Sequence, residues 1–329
     1  MSASAETPFA RVVNLALEYR TQTGPVRALD GASLDIATSS TLGVVGESGS
    51  GKTTLGMAIG RLLPASAVRL SGELVVDGKP VFDLPKEELR MLRRTRLGFV
   101  FQNPMTALDP TMRIRRQLER AAGGRLTDGP ALDMLRRVGL PDPDRVARSY
   151  PHELSGGMAQ RVVVAMAVAR NPMLLIADEP TSALDATVRI EILSMLIGLK
   201  DRLGTGLLVL SHELHIVATF CTEVAVMYGG RVVEHGPSAL LFARPRHPYT
   251  RALIRAAPGS ERQGERLDPI PGTPPLLREA AAGCAFAPRC IFAVPRCHLE
   301  RPEPRFHDGR TVLCHRVEEL SLAAGDQAA

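Results

Sequence analysis

Apolar and polar residues alternate along Val13-Asn14-Leu15-Ala16-Leu17-Glu18-Tyr19-Arg20, the period of two expected of a strand with one buried face. The turn Thr23-Gly24-Pro25 and the run Ala32 to Ile36 predict an antiparallel partner, and Gly72 to Val76 ahead of Asp77-Gly78 predicts another short strand and tight turn. These segments make a small antiparallel β subdomain. Elsewhere the pattern changes. Leu42 to Val45, Leu97 to Phe101, Met173 to Ala177 and Gly206 to Leu210 are apolar throughout, as strands covered on both faces are. Helical spacing marks Ile114 to Ala122, Ala131 to Val138, a segment up to Ala169 that Asn171-Pro172 stops, and a helix through Ile192, Leu196, Leu199 and Leu203 closed by Gly204. Short buried strands interleaved with helices predict an α/β fold, with an inserted helical subdomain over about residues 103–160.

Composition narrows the class. The 329 residues, 45% hydrophobic, can bury a sizeable core across roughly two domains. Lys+Arg 40 against Asp+Glu 35 leaves a net charge of +5, but aromatic residues are only 4% and Trp is absent, so stacking platforms for single-stranded nucleic acid are scarce. The four arginines of Arg90 to Arg96 read as a solvated helix face. No apolar run approaches the ~18 residues of a membrane span. Residues 1 to 20 lack a basic start followed by an apolar core, so no signal peptide is expected. The expected location is cytosolic, where cysteines stay as thiols or metal ligands.

The chemistry centres on Gly46-Glu47-Ser48-Gly49-Ser50-Gly51-Lys52-Thr53, which follows an apolar run and precedes the helix-compatible run Thr54 to Leu63. That is the strand–loop–helix setting of a phosphate loop. Its glycines let backbone N–H groups approach an anion closely, and the following helix turns the positive end of its dipole toward it. Lys52 is then placed against the β- and γ-phosphates, and Thr53 on Mg²⁺. Three further apolar runs end in Gln102, in Asp178-Glu179 and in Ser211-His212. Ligands gather at the carboxyl ends of parallel strands, so these groups are expected to converge on one nucleotide. Asp178 suits a water-mediated Mg²⁺ contact and Glu179 the polarisation of the attacking water. Leu154-Ser155-Gly156-Gly157-Met158-Ala159-Gln160-Arg161 opens a helix as a second anion-binding N-terminus, yet it belongs to the inserted subdomain and nothing in the pattern brings it to the same pocket.

Over about residues 10 to 236 these motifs resemble the ATP-binding cassette family. GESGSGKT is similar to its Walker A, Gln102 to the Q-loop, LSGGMAQR to the signature, LLIADEP to Walker B, SALD to the D-loop and His212 to the switch histidine. The resemblance implies a P-loop NTPase core binding ATP and Mg²⁺. It assigns nucleotide contacts to Tyr19 (adenine stacking), Gly46, Ser48, Gly49, Ser50, Gly51, Lys52, Thr53, Thr54, Gln102 and Asp178, with Mg²⁺ on Thr53, Gln102 and Asp178 and catalysis on Glu179 and His212. It also implies that two such subunits, identical or paralogous, face head to tail, so that Ser155, Gly157 and Gln160 serve the partner's ATP.

The segments Arg246 to Thr250, Pro269 to Pro275 and Cys284-Ala285-Phe286-Ala287-Pro288-Arg289-Cys290 are similar to the carboxyl-terminal extension of the dipeptide/oligopeptide/nickel importer ATPases. The implied function is an ATPase subunit, peripheral on the cytoplasmic face of the inner or plasma membrane. It would drive uptake of short peptides through two permease subunits fed by an extracytoplasmic binding protein, with no nucleic acid. Nickel or glutathione are alternative solutes, and a cassette ATPase acting on nucleic acid or ribosomes is the alternative class. The expected division is an ATPase domain over 1–236 and an extension over 237–329.

Residues 231 to 329 hold 12 of the 25 prolines and four of the five cysteines. Few long helices are possible there, and an appendage with little core of its own needs a metal to hold it. Cys284, Cys290, Cys297 and Cys314, separated by 5, 6 and 16 residues, suit tetrahedral zinc or an iron–sulfur cluster, with free buried thiols as the bland alternative. The family resemblance tips the expectation toward a structural [4Fe-4S] cluster. Cys221 reads as a core residue on a helix.

Overall fold

In a computed structural model, which describes residues 7–38, 40–125, 127–182, 184–257, 269–320 and 322, the alternating segment forms β1 (Ala10–Thr21). It pairs antiparallel with β2 (Gly24–Ile36) and with β4 (Ala67–Val76), and β5 (Lys79–Pro80) completes a four-stranded sheet in the order β2-β1-β4-β5. The alternation does not run unbroken. Asn14 adopts a left-handed φ of 48° and the register shifts between Val12 and Leu15, so Val12 is buried and Val13 is 38% exposed. A bulge adds one residue and reverses which face the next side chain takes, which is why the period-two reading is out of phase at Val13.

The chain divides into two compact units, one built of Ala10–Ile36, Leu42–Phe82 and the residues from Leu210 onward, the other chiefly of Ala37–Thr41 and Asp83–Val209. The first holds, besides the antiparallel sheet, the last four residues of β3 (Thr41–Val45), parallel to β9 (Glu223–Tyr228). The antiparallel strands β10 (Arg231–Pro237), β12 (Arg310–Val312) and β11 (Arg305–His307) continue outward from β9. β3 is buried at every position, and the helix Leu214–Phe220 lies so close that a Cβ on Gly43 would run into Val217. Cys221 ends that helix and is buried. Past residue 238, no described helix exceeds the eight residues of Pro248–Arg255, in keeping with the proline content.

The second unit contains β6 (Leu97–Val100), β7 (Leu174–Asp178) and the first four residues of β8 (Gly206–Ser211), in the order β8-β7-β6, with β6 and β7 parallel. Helices Ile114–Ala122, Asp128–Arg137, Pro143–Arg148 and Gly156–Ala167 form the insertion. The last of these stops two residues short of Ala169. Helix Ala186–Leu203 begins on an Asp185 cap, which accepts from the Thr187 and Val188 amides, and ends on Gly204 in the left-handed conformation that glycine adopts most readily. Its Ile192, Leu196 and Leu199 are fully buried, each such side chain stabilising the fold by roughly 1.5–3 kcal/mol. Among the described residues no helix is long and apolar enough to cross a membrane.

Candidate nucleotide-binding site

β3 delivers the chain at Val45 into the loop Gly46 to Gly51, and the helix Lys52–Ile59 starts directly after it. Gly51 has φ 104°, and a Cβ there would stand 2.5 Å from the Ala28 carbonyl oxygen, so no other residue lets the loop fold this closely. Gly49 (φ 79°) faces open space, with nothing within 4 Å of a Cβ placed on it. Lys52 is 7% exposed, and its Nζ donates to the carbonyls of Gly46 at 2.8 Å and Glu47 at 3.1 Å. Ser50 Oγ is buried with no hydrogen-bond partner among the described residues, a donor that a phosphate oxygen would satisfy. Ser48 and Thr53 are exposed. Amides at a helix start, an ammonium and an unsatisfied hydroxyl on one loop make an oligophosphate-binding cradle.

Tyr19 near the end of β1 is half-buried, and its hydroxyl shares a 3.2 Å hydrogen bond with Thr54 Oγ1 on the loop's own helix. His212, the residue after β8, is exposed in the same unit as the loop.

The other unit collects the remaining candidates. In the parallel register Val100 is opposite Ala177, so Gln102 and Glu179 each lie two residues past a matched pair at the carboxyl ends of adjacent strands. Asp178 closes β7 and is half-buried. Glu179 has φ 49°, a left-handed conformation that costs a non-glycine residue about 1–3 kcal/mol and concentrates at functional sites. Its carbonyl accepts from the Ser182 amide at 3.3 Å, bending the chain away from the strand. Of the D-loop residues, Ala183 lies outside the described residues. Ser155 caps the helix Gly156–Ala167 by accepting from the Met158 amide at 3.3 Å, and it is exposed together with Gly156. Gly157 packs near Val188. Gln160 is 1% exposed, and its Nε2 has no partner among the described residues.

Three residues lie within the motifs, but no motif signals that they meet. Glu47, inside the loop, receives a fork from Arg289: Nη1 to Oε2 at 2.7 Å and Nη2 to Oε1 at 3.0 Å. Its amide donates to the Tyr249 hydroxyl at 2.9 Å. Tyr249 is fully buried, packed on Tyr228 (ring centroids 4.5 Å) and Phe286 (5.3 Å), and burial raises its phenol above the ordinary range, so it stays protonated. The partners are 242 and 202 positions away from Glu47, too far for any local pattern to signal.

Cys284, Cys290, Cys297 and Cys314 line one small cavity, and the Cys284 amide donates to the Cys297 carbonyl at 2.8 Å. Burial pushes the Cys290 thiol up to about 12 and the Cys314 thiol up to about 11. Among the described residues no group of three or more His, Cys, Asp or Glu side chains is arranged to hold a metal ion.

Residues 29–182 match the ABC transporter family, and residues 233–297 match the oligopeptide/dipeptide transporter C-terminal region. A relative in Sinorhizobium fredii, named a probable peptide ABC transporter ATP-binding protein, is 42% identical, with 94% of this chain and 95% of the relative aligned. The oligopeptide transport ATP-binding protein OppD of Escherichia coli is 40% identical, with 94% of each covered. Among solved structures, the ATP-binding cassette MJ0796, a post-hydrolysis dimer bound to ADP and phosphate, superposes with a TM-score of 0.62 at 29% identity. That alignment covers 70% of this chain and 98% of that one.

Proposed function

The chain belongs to the ATP-binding subunits of peptide ABC transporters, and on that premise we propose that it hydrolyses Mg-ATP to drive uptake of short peptides through separate membrane permease subunits. One observation carries the reading: a complete phosphate loop and an oligopeptide/dipeptide-type extension stand in a single chain. Residues 1–236 make up the ATPase part and 237–329 the extension.

Lys52 and the loop amides bind the β- and γ-phosphates, and Tyr19 stacks on the adenine. Thr53, Gln102 and Asp178 are the residues that would hold Mg²⁺, which would offset the phosphate charge. Glu179 polarises the attacking water, and His212 supports the γ-phosphate. Ser155, Gly157 and Gln160 act on ATP held by a second ATPase subunit, and the similar cassette MJ0796 is itself a dimer. Closure of the pair would move the permease helices, and hydrolysis would reopen it. In this role the protein sits peripherally at the cytoplasmic face.

The test is transport. Reconstituted with its two permease subunits and binding protein, the chain should import labelled peptides in proportion to ATP hydrolysed. Uptake of nickel or glutathione instead moves the solute assignment. Turnover that answers to nucleic acid or ribosomes and ignores the permease sinks the transport reading.

We also propose that the four extension cysteines hold a [4Fe-4S] cluster in a structural role. The four thiols line one small cavity and are the donor type such a cluster takes, and their side chains would have to draw together to hold it. Anaerobically purified protein is expected to carry about four irons and about four sulfides per chain. Zinc alone would replace the cluster assignment, and no metal at all would remove it.

A further inference from the structure

The extension carries Arg289 on the single turn Ala287–Arg289, between Cys284 and Cys290, and commits all of that side chain's hydrogen-bonding capacity to one place. Nε donates to the Pro271 carbonyl at 2.7 Å, Nη1 reaches Tyr228 Oη at 3.2 Å and Nη2 the Ile270 carbonyl at 3.4 Å, in addition to the Glu47 fork. The Arg289 side chain is 5% exposed and the Glu47 side chain 23%. A bidentate, largely dehydrated pair of this kind is directional as well as strong.

Glu47 is thereby held at every polar group it has. Arg289 holds its carboxylate, Tyr249 its amide, and Lys52 Nζ donates to its carbonyl. The same Nζ donates to the Gly46 carbonyl, so the carbonyls on either side of Glu47 together fix where the ammonium sits. We propose that Arg289 and Tyr249 are positioning residues of the nucleotide site: through Glu47 they hold the phosphate loop, and with it Lys52, in its phosphate-binding shape. The inference rests on the ATPase reading above. A loop already ordered before ATP arrives loses less entropy on binding, so the effect belongs in nucleotide affinity.

The experiment measures Mg-ATP dissociation constants with trinitrophenyl-ATP as the displaced probe, alongside thermal midpoints without nucleotide. Arg289→Lys, which keeps the charge and loses the fork, is expected to weaken ATP about tenfold, the loss of one charge-assisted contact. Tyr249→Phe keeps the packed ring and loses only the acceptor, and a three- to tenfold weakening is expected from the neutral hydrogen bond lost. With that ring intact, the nucleotide-free midpoint of Tyr249→Phe should stay close to the parent's. For both variants KM for ATP should rise while kcat at saturating ATP is largely kept, a split that general loss of structure does not give. Glu47→Gln combined with Arg289→Lys should cost less than the sum of the two single changes, because both break one contact. If the parent binds ATP and the folded Arg289→Lys and Tyr249→Phe proteins bind it within twofold of the parent, the inference is overturned alone. A folded parent that does not bind Mg-ATP overturns the ATPase reading and this inference together.

Discussion

Replacing Glu179 with glutamine is expected to cut ATP turnover by roughly 10²–10⁴-fold, the usual contribution of a positioned general base, while ATP still binds. The amide keeps the size and hydrogen-bonding shape of the side chain and loses the charge that polarises water. The left-handed backbone at Glu179 (φ 49°) aims the side chain from the end of β7, and glutamine tolerates that conformation about as well, so the fold should persist. With hydrolysis blocked, ATP should trap a stable pair of subunits, identical or paralogous, visible by size-exclusion chromatography. Adding Ser155→Arg, which puts a bulky cation where the exposed helix start is assigned to the partner's phosphate, should abolish the trapped pair. Wild-type turnover in Glu179→Gln would remove the residue from catalysis.

Lys52→Ala should act earlier in the cycle. The change deletes the ammonium that meets the phosphates and also the two donations that tie Gly46 and Glu47 together at 2.8 and 3.1 Å. An affinity loss on the order of 100-fold, or about 2.7 kcal/mol, is expected, since charge-assisted contacts and loop order go together. Isothermal titration with Mg-ATP measures it, and an unchanged dissociation constant would contradict the phosphate-loop assignment.

Where function depends on residues close together in the chain, the amino-acid sequence is legible by itself. The phosphate loop, Asp178-Glu179 and the Ser155-capped helix each combine a local pattern with a local chemical need, and the fold gives each the expected element. Ile114–Ala122 forms a helix over the very residues that its spacing predicts. Legibility fails where the controlling interaction is long-range or adds a residue. The bulge at Asn14 has no signature in a run that alternates through it. β9 and β10 carry no motif that marks them, although Val224 to Tyr228 is a buried apolar run. Arg289 lies in the Cys284–Cys290 segment that marks the extension, with nothing in that segment to say what it touches. Only its placement against Glu47 gives it a role, and charge patterning cannot supply that.

The order of strands in the phosphate-loop unit limits how this protein can be shortened. β10 lends its outer edge to β12 through Glu234 opposite Val312 and His235 opposite Thr311, and the fully buried Glu234 faces Arg310 at 3.5 Å. Cutting the chain after residue 237 would leave β10 as a bare sheet margin bearing Val232 and Val233, with a carboxylate in apolar surroundings and no cation beside it. Such a margin recruits strands from other chains, so a truncated product would be lost to self-association before its enzymology mattered. Gene-length variation in this lineage should therefore spare β12 even where it erodes the residues that follow.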